Sequence, residues 1–178
     1  MDTYQIQLEE AEKRLCDFIA RQRQANNRAV SPVNHALASK EDPLYIEKEG
    51  VMSELAFCKL LNTYPYEIFN TQPRSVAQGE DCGDVIYGEH CIDVKVTKYE
   101  TGRLISVSKN PAVSLIVMMI GEHGTYRLAG GMRSSDMYSS IRFGTPNGFR
   151  KPCFSATQDE LIDPDTLMDW IFLSLYAD

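Results

Sequence analysis

Asp84, Asp93 and Lys95 stand close enough in the chain to do chemistry together. Asp84 opens the apolar run Val85-Ile86-Tyr87, Gly88-Glu89 follows, and His90-Cys91-Ile92-Asp93-Val94-Lys95-Val96 forms a second β-rich run. Two such runs around a glycine-containing turn predict an antiparallel hairpin. Alternate side chains of a strand share a face, so Asp93 and Lys95 project together while Ile92 and Val94 turn the other way, into a core. Asp84 lies nine positions before Asp93 across the turn, which can bring both carboxylates to one point. The register that decides this is not legible in the sequence, because a slip of one residue reverses the face.

Two carboxylates at one focus repel unless a cation lies between them. Hard oxygen donors select Mg2+, or Mn2+, over softer metals. Such an ion polarises a phosphoryl oxygen, acidifies a bound water and orients it for in-line attack. Lys95 beside it can stabilise the charge that develops on phosphate, or help to orient or deprotonate that water. The chemistry these groups would perform is phosphodiester hydrolysis. The plainer reading of Asp-Val-Lys is a strand whose charged side chains face solvent.

Several elements must position these residues. Ile6, Leu8, Ala11, Leu15, Phe18 and Ile19 recur near helical spacing, predicting an amphipathic helix over residues 3–24 that serves as a lid or a dimer surface. Residues 25–43 read as a linker, so the chain divides into an N-terminal helix and linker, 1–44, and a main domain, 45–178. Asp42-Pro43 opens a second helix reaching about residue 62, with Val51, Leu55, Cys58 or Lys59, and Leu61 or Asn62 on its core face and Ala56, Phe57 and Leu60 beside it. Glu54 sits inside that apolar half; its plain role is a helix former pointing to water. A strand is predicted near 67–71 and a loop over 72–83. A central strand over 113–120, apolar throughout, suits burial on both faces. A turn at 121–124 leads to a strand over 125–129. Residues 130–154 lack periodicity and read as functional or specificity loops rather than core. Asp163-Pro164 starts a last amphipathic helix running to Tyr176. This order predicts an α/β or α+β fold with a mixed central β-sheet.

With these elements in place, the segment from about residue 48 to 99 resembles the PD-(D/E)xK, or restriction-endonuclease-like, nuclease superfamily. Gly50-Val51-Met52-Ser53-Glu54-Leu55-Ala56-Phe57-Cys58-Lys59-Leu60 is similar to that family's helix pattern GxxxExAFxxxL. Gly83-Asp84-Val85-Ile86-Tyr87-Gly88 supplies the aspartate at the start of the hairpin, and Ile92-Asp93-Val94-Lys95 the (D/E)xK end. The resemblance implies an α/β, restriction-endonuclease-like core with a mixed central β-sheet flanked by α-helices, and a metal held by Asp84, Asp93 and the Val94 carbonyl, with Glu54 acting on it directly or through water. It covers roughly residues 45–130. Gly83 stands where the motif name has proline, a departure without harm, and Asp93 replaces the commoner glutamate. Asp81 is a rival for Asp84, which is preferred because it continues directly into the apolar strand.

Composition bounds the rest. The net charge of −7 argues at first against a nucleic-acid partner. Its distribution is uneven, however: residues 84–151 hold nine basic and six acidic groups, whereas 152–178 hold six acids and no base. Thr97, Lys98, Arg103, Lys109 and Arg133 could touch phosphate and Tyr99 could stack on a base, although each also suits a solvated or packed surface role. Five scattered cysteines without a CxxC pair fit a reducing cytoplasm. Cys82, His90 and Cys91 lack the paired four-ligand spacing of zinc sites. With no apolar run of membrane-spanning length, a membrane partner is not expected.

The expectation is therefore a cytoplasmic Mg2+-dependent deoxyribonuclease, a phosphodiester hydrolase serving repair, recombination, restriction or phage DNA processing. DNA is favoured over RNA, and a homodimer is compatible with the first helix. The alternative is a catalytically inactive nuclease-fold protein acting as a nucleic-acid-binding or assembly subunit. No Cys–His pairing among His35, His90 and His123 supports a thiol enzyme.

Overall fold

The structure, a computed structural model, describes residues 4–30, 42–72, 82–149 and 151–174. Strand β1 (Gln5–Gln7) leads into helix α1 (Glu10–Val30), and α2 (Pro43–Leu60) follows. Asp42 caps α2 by accepting the Leu44 N–H at 3.0 Å, and Pro43, whose nitrogen has no hydrogen to orphan, occupies the first turn. The hairpin is β2 (Val85–Tyr87) and β3 (His90–Thr97). Next come β4 (Leu104–Ser106), β5 (Leu115–Glu122) and β6 (Thr125–Arg133), the short helix α3 (Ser134–Met137), β7 (Phe143–Gly144), β8 (Cys153–Ala156) and helix α4 (Pro164–Leu173).

Five strands form the main sheet in the order β1-β6-β5-β3-β2. It is mixed: β3 runs parallel to β5, with Asp93 opposite Ile116 and Lys95 opposite Met118, while the other pairings are antiparallel. A second sheet, β4-β8-β7, lies apart from it in hydrogen bonding. The fold is α/β, with a mixed central sheet and helices packed against it.

Two cores meet at β5. Toward the helices, Ile92, Val94, Leu115, Val117 and Met119 pack with Cys16 and Ile19 of α1, Val51 to Cys58 of α2, and Leu167 and Ile171 of α4. Toward the small sheet, Ile116, Met118 and Ile120 pack with Leu104, Phe154, Ala156, Met132 and Met137. Every residue from Leu115 to Ile120 is thus buried, which accounts for the unbroken apolar run. The hairpin alternation holds as well, with His90, Ile92 and Val94 buried and Asp93 and Lys95 on the opposite face.

Several expectations need correction. The N-terminal helix starts at Glu10, because Gln5–Gln7 pairs with Thr125 to Arg127 as an edge strand, and Leu15 and Phe18 of α1 are exposed. Glu67–Phe69 is a 3-10 turn rather than a strand. Residues 130–154 are not chiefly loops: they finish β6 and supply α3, β7 and β8, and Met132, Met137, Cys153 and Phe154 are buried. Their pattern was masked because short strands each contribute only one or two core residues. The expected helix end at Tyr176, most of the linker (residues 31–41), His35 and Asp81 lie outside the described residues.

Candidate functional site

The site forms where β2 stops and β3 continues. Gly83 and Asp84 wrap the end of the hairpin: the Asp84 N–H donates to the Ile92 carbonyl at 2.8 Å although Val85 is the residue paired with Ile92. Gly83 makes this wrap feasible. Its φ is +85°, and a Cβ there would stand 2.7 Å from the Ile92 carbonyl oxygen. Proline, locked near −65°, could not take this position. Glycine at position 83 is therefore a requirement of this chain's geometry.

The wrap carries the Asp84 side chain past the sheet edge and back onto β3. Its Oδ2 accepts the Val94 N–H at 2.8 Å, a donor that β2 is too short to satisfy. In an extended strand the N–H and C=O of one residue share an edge, so the Val94 carbonyl lies along this edge too. On the outward face of β3, Lys95 Nζ donates to Asp93 Oδ1 at 2.6 Å. Burial alone would depress the Lys95 ammonium, but the charges of Asp93 and then Asp84 outweigh it and hold Lys95 above the usual lysine range. Asp84 is pushed the other way for an acid. Burial first, then the charges of Glu54 and Asp93, raise its carboxyl well above the ordinary aspartate value, against the opposing pull of Lys95.

Glu54 reaches this focus from the helix side of the sheet, whereas Asp93 and Lys95 reach it from the opposite face; Asp84, at the edge, feels both. Glu54 does not point to water. Its side chain is 7% exposed and both its oxygens are taken by Arg23, at 3.0 and 2.9 Å. Arg23 also donates to the Ile68 carbonyl at 3.2 Å and stands 3.9 Å from Glu47. The sequence reading missed Arg23. A signal was present: Cys16, Ile19, Arg23 and Asn26 share one helical face, and a cation continuing a buried stripe demands a buried acid opposite. Asn26 extends the same seam by donating to the Thr71 carbonyl at 2.9 Å.

The donor chemistry fits a hard divalent cation. Asp84, Asp93 and the Val94 carbonyl offer oxygens alone, which suits Mg2+ or Mn2+. Glu54, Asp84 and Asp93 share the neighbourhood with two cations, Arg23 and Lys95, and the charges of Glu54 and Asp93 add to burial in lifting Asp84. A dication would relieve it. Among the described residues, no group of three or more His, Cys, Asp or Glu side chains is arranged to hold a metal ion. A donor set of two carboxylates and one carbonyl needs no such group.

Other expected contacts fall differently. Lys95, Thr97, Tyr99 and Arg103 line a cleft of about 490 Å³ beside the site. Lys98 lies over the rings of Tyr45 and Tyr99, and Lys109 over Phe154. Arg133 is not in the cleft; it stacks on Trp170 of α4 at 5.0 Å. Burial and the neighbouring Cys82 raise the Cys91 thiol, but the His90 ring turns inward and packs on Trp170 at 4.7 Å. No family model matches the chain, nor does any curated protein or solved structure.

Proposed function

We propose that this chain is a metal-dependent nuclease of the PD-(D/E)xK type that hydrolyses phosphodiester bonds in DNA. The observation that carries the reading is the Asp84 Oδ2–Val94 N–H bond, which folds the open end of the hairpin so that Asp84 stands beside the Asp93–Lys95 pair. The hairpin-edge aspartate then stands beside a strand Asp-x-Lys, while the helix acid Glu54 lies toward the other face of the sheet and acts on Asp84 through its charge. The β2–β3 hairpin, the parallel β3–β5 pairing and α2 against the sheet support a restriction-endonuclease-like core.

In this reading Asp84, Asp93 and the Val94 carbonyl hold Mg2+ or Mn2+. A bound ion of this kind would polarise the scissile phosphoryl oxygen and supply an acidified water. Lys95, a cation whose head already sits against a carboxylate and opens to the cleft, offers its remaining donors to the charge developing on the phosphate. Glu54, fixed by Arg23, contributes through its charge on Asp84.

The test is cleavage of linear, circular and single-stranded DNA with Mg2+ or Mn2+, beside Asp93→Ala and Lys95→Ala. Each variant is expected to lose about 10²-fold or more in rate. Cleavage persisting in both would remove the enzyme reading.

A second reading, a nuclease-fold protein that binds nucleic acid without cutting it, is favoured by one observation: the Glu54 and Asp93 carboxylates are already engaged by Arg23 and Lys95. Tight DNA binding with no cleavage under either metal would select it. A cytoplasmic setting and a homodimer through α1 belong to the proposal. Among the described residues, no helix is long and apolar enough to cross a membrane.

A further inference from the structure

We propose that the cleft beside Lys95 is a seat for an unpaired nucleotide strand, so that the preferred substrate is single-stranded or frayed DNA rather than an intact duplex. The proposal rests on the nuclease reading for where the scissile phosphate lies, but its grounds are separate.

The cleft opens on the face of β3 that carries the candidate site. Asp93, Lys95 and Thr97 alternate along that face, a track of about 13 Å at the usual strand rise. Lys95, Thr97, Thr101 and Arg103 line it, and Tyr99 and Phe149 add aromatic surface. Among the described residues that line it, none is acidic, in a chain with 25 acids against 18 bases. A basic, hydroxyl-bearing groove next to a cluster of carboxylates complements a phosphodiester backbone.

The turn that contributes to the lining is held in place. The turn at 99–102 closes with the Gly102 N–H donating to the Tyr99 carbonyl at 2.8 Å. From the 3-10 turn Gln158–Glu160, the Gln158 amide donates to the carbonyls of Glu100 and Gly102 at 2.6 and 3.0 Å. Arg127 meanwhile pairs with Glu100, the one acid of this turn. Tyr99 is 65% exposed, with the Lys98 ammonium 5.6 Å from its ring centre. An exposed ring beside cations is a stacking platform, and a base offers its face to such a ring only when it has left its own stack. Duplex DNA keeps those faces covered.

The test measures binding by the full chain in EDTA, so that cutting plays no part. Fluorescence anisotropy would compare a labelled single strand, the same sequence as a blunt duplex, and a mononucleotide. The single strand is expected to bind at least tenfold more tightly than either. Tyr99→Ala should weaken it about five- to a hundredfold, Tyr99→Phe should restore binding, and Arg103→Gln should lower the salt slope by about one. Tyr64→Ala, which removes an exposed ring outside the cleft, should change nothing. Equal or tighter duplex binding overturns the proposal, as does indifference to Tyr99→Ala. A mononucleotide that binds as well as the strand also overturns it. Intact single-strand binding without metal-dependent cleavage would defeat the nuclease reading alone; cleavage with a duplex preference would defeat this one alone.

Discussion

Arg23 and Glu54 form a two-pronged ion pair that joins α1 to α2, with side chains 14% and 7% exposed. Its removal from one side leaves a buried charge without its partner. Arg23→Ala is expected to cost about 3–5 kcal/mol of stability, read as a lower urea midpoint. The double variant Arg23→Met with Glu54→Leu should recover most of that loss, because apolar groups of similar volume replace the pair without leaving either charge buried. Full activity in the double variant would separate Glu54 from the chemistry and confine it to architecture.

Gly83 gives a prediction about backbone. At φ +85°, and with the Ile92 carbonyl 2.7 Å from where a Cβ would stand, Gly83→Ala should destabilise by more than about 1 kcal/mol in chemical denaturation. Because the same wrap aims Asp84 at Val94, cleavage should fall further than stability alone accounts for. An alanine variant with ordinary stability and rate would show that the wrap is not needed.

Asp84 gives a prediction about metal removal. Burial and the neighbouring charges of Glu54 and Asp93 disfavour its carboxylate. Asp84→Asn, which keeps an oxygen for the Val94 N–H, should therefore raise the melting temperature of the EDTA-treated protein. Added Mn2+ should stabilise the wild type, by about 2.7 kcal/mol at a hundredfold excess over its Kd, and leave the asparagine variant unmoved. An equal response of both proteins to Mn2+ would place the ion elsewhere.

Glu160 gives a pH prediction away from the site. Its carboxylate accepts the Thr157 N–H at 2.7 Å, the Arg142 guanidinium at 2.8 Å and the Thr157 hydroxyl at 2.9 Å, and these bonds, the backbone one foremost, hold it at about 2 against the usual 4.5. A carboxyl lowered by folding contributes stability above its unfolded value and loses it as pH falls through the folded one. The wild type should thus lose this contribution between about pH 4.5 and 2. Glu160→Gln should start less stable at neutral pH and show a shallower fall across that window, as measured by urea midpoints at several pH values.

The sequence by itself determined the hairpin, the shared face of Asp93 and Lys95, the capped start of α2 and the doubly buried strand β5, because strand alternation, cap chemistry and apolar runs are local properties. The tertiary structure decided what Glu54 meets and where Asp84 points. The first depends on α1 laying Arg23 across α2, a contact between residues 31 positions apart. The second depends on β2 ending just short of the Val94 N–H, so that a side chain takes over from a strand. The small sheet over β5 was hidden for the same reason: its three short strands bury few residues each and gain their partners only through pairings distant in the chain.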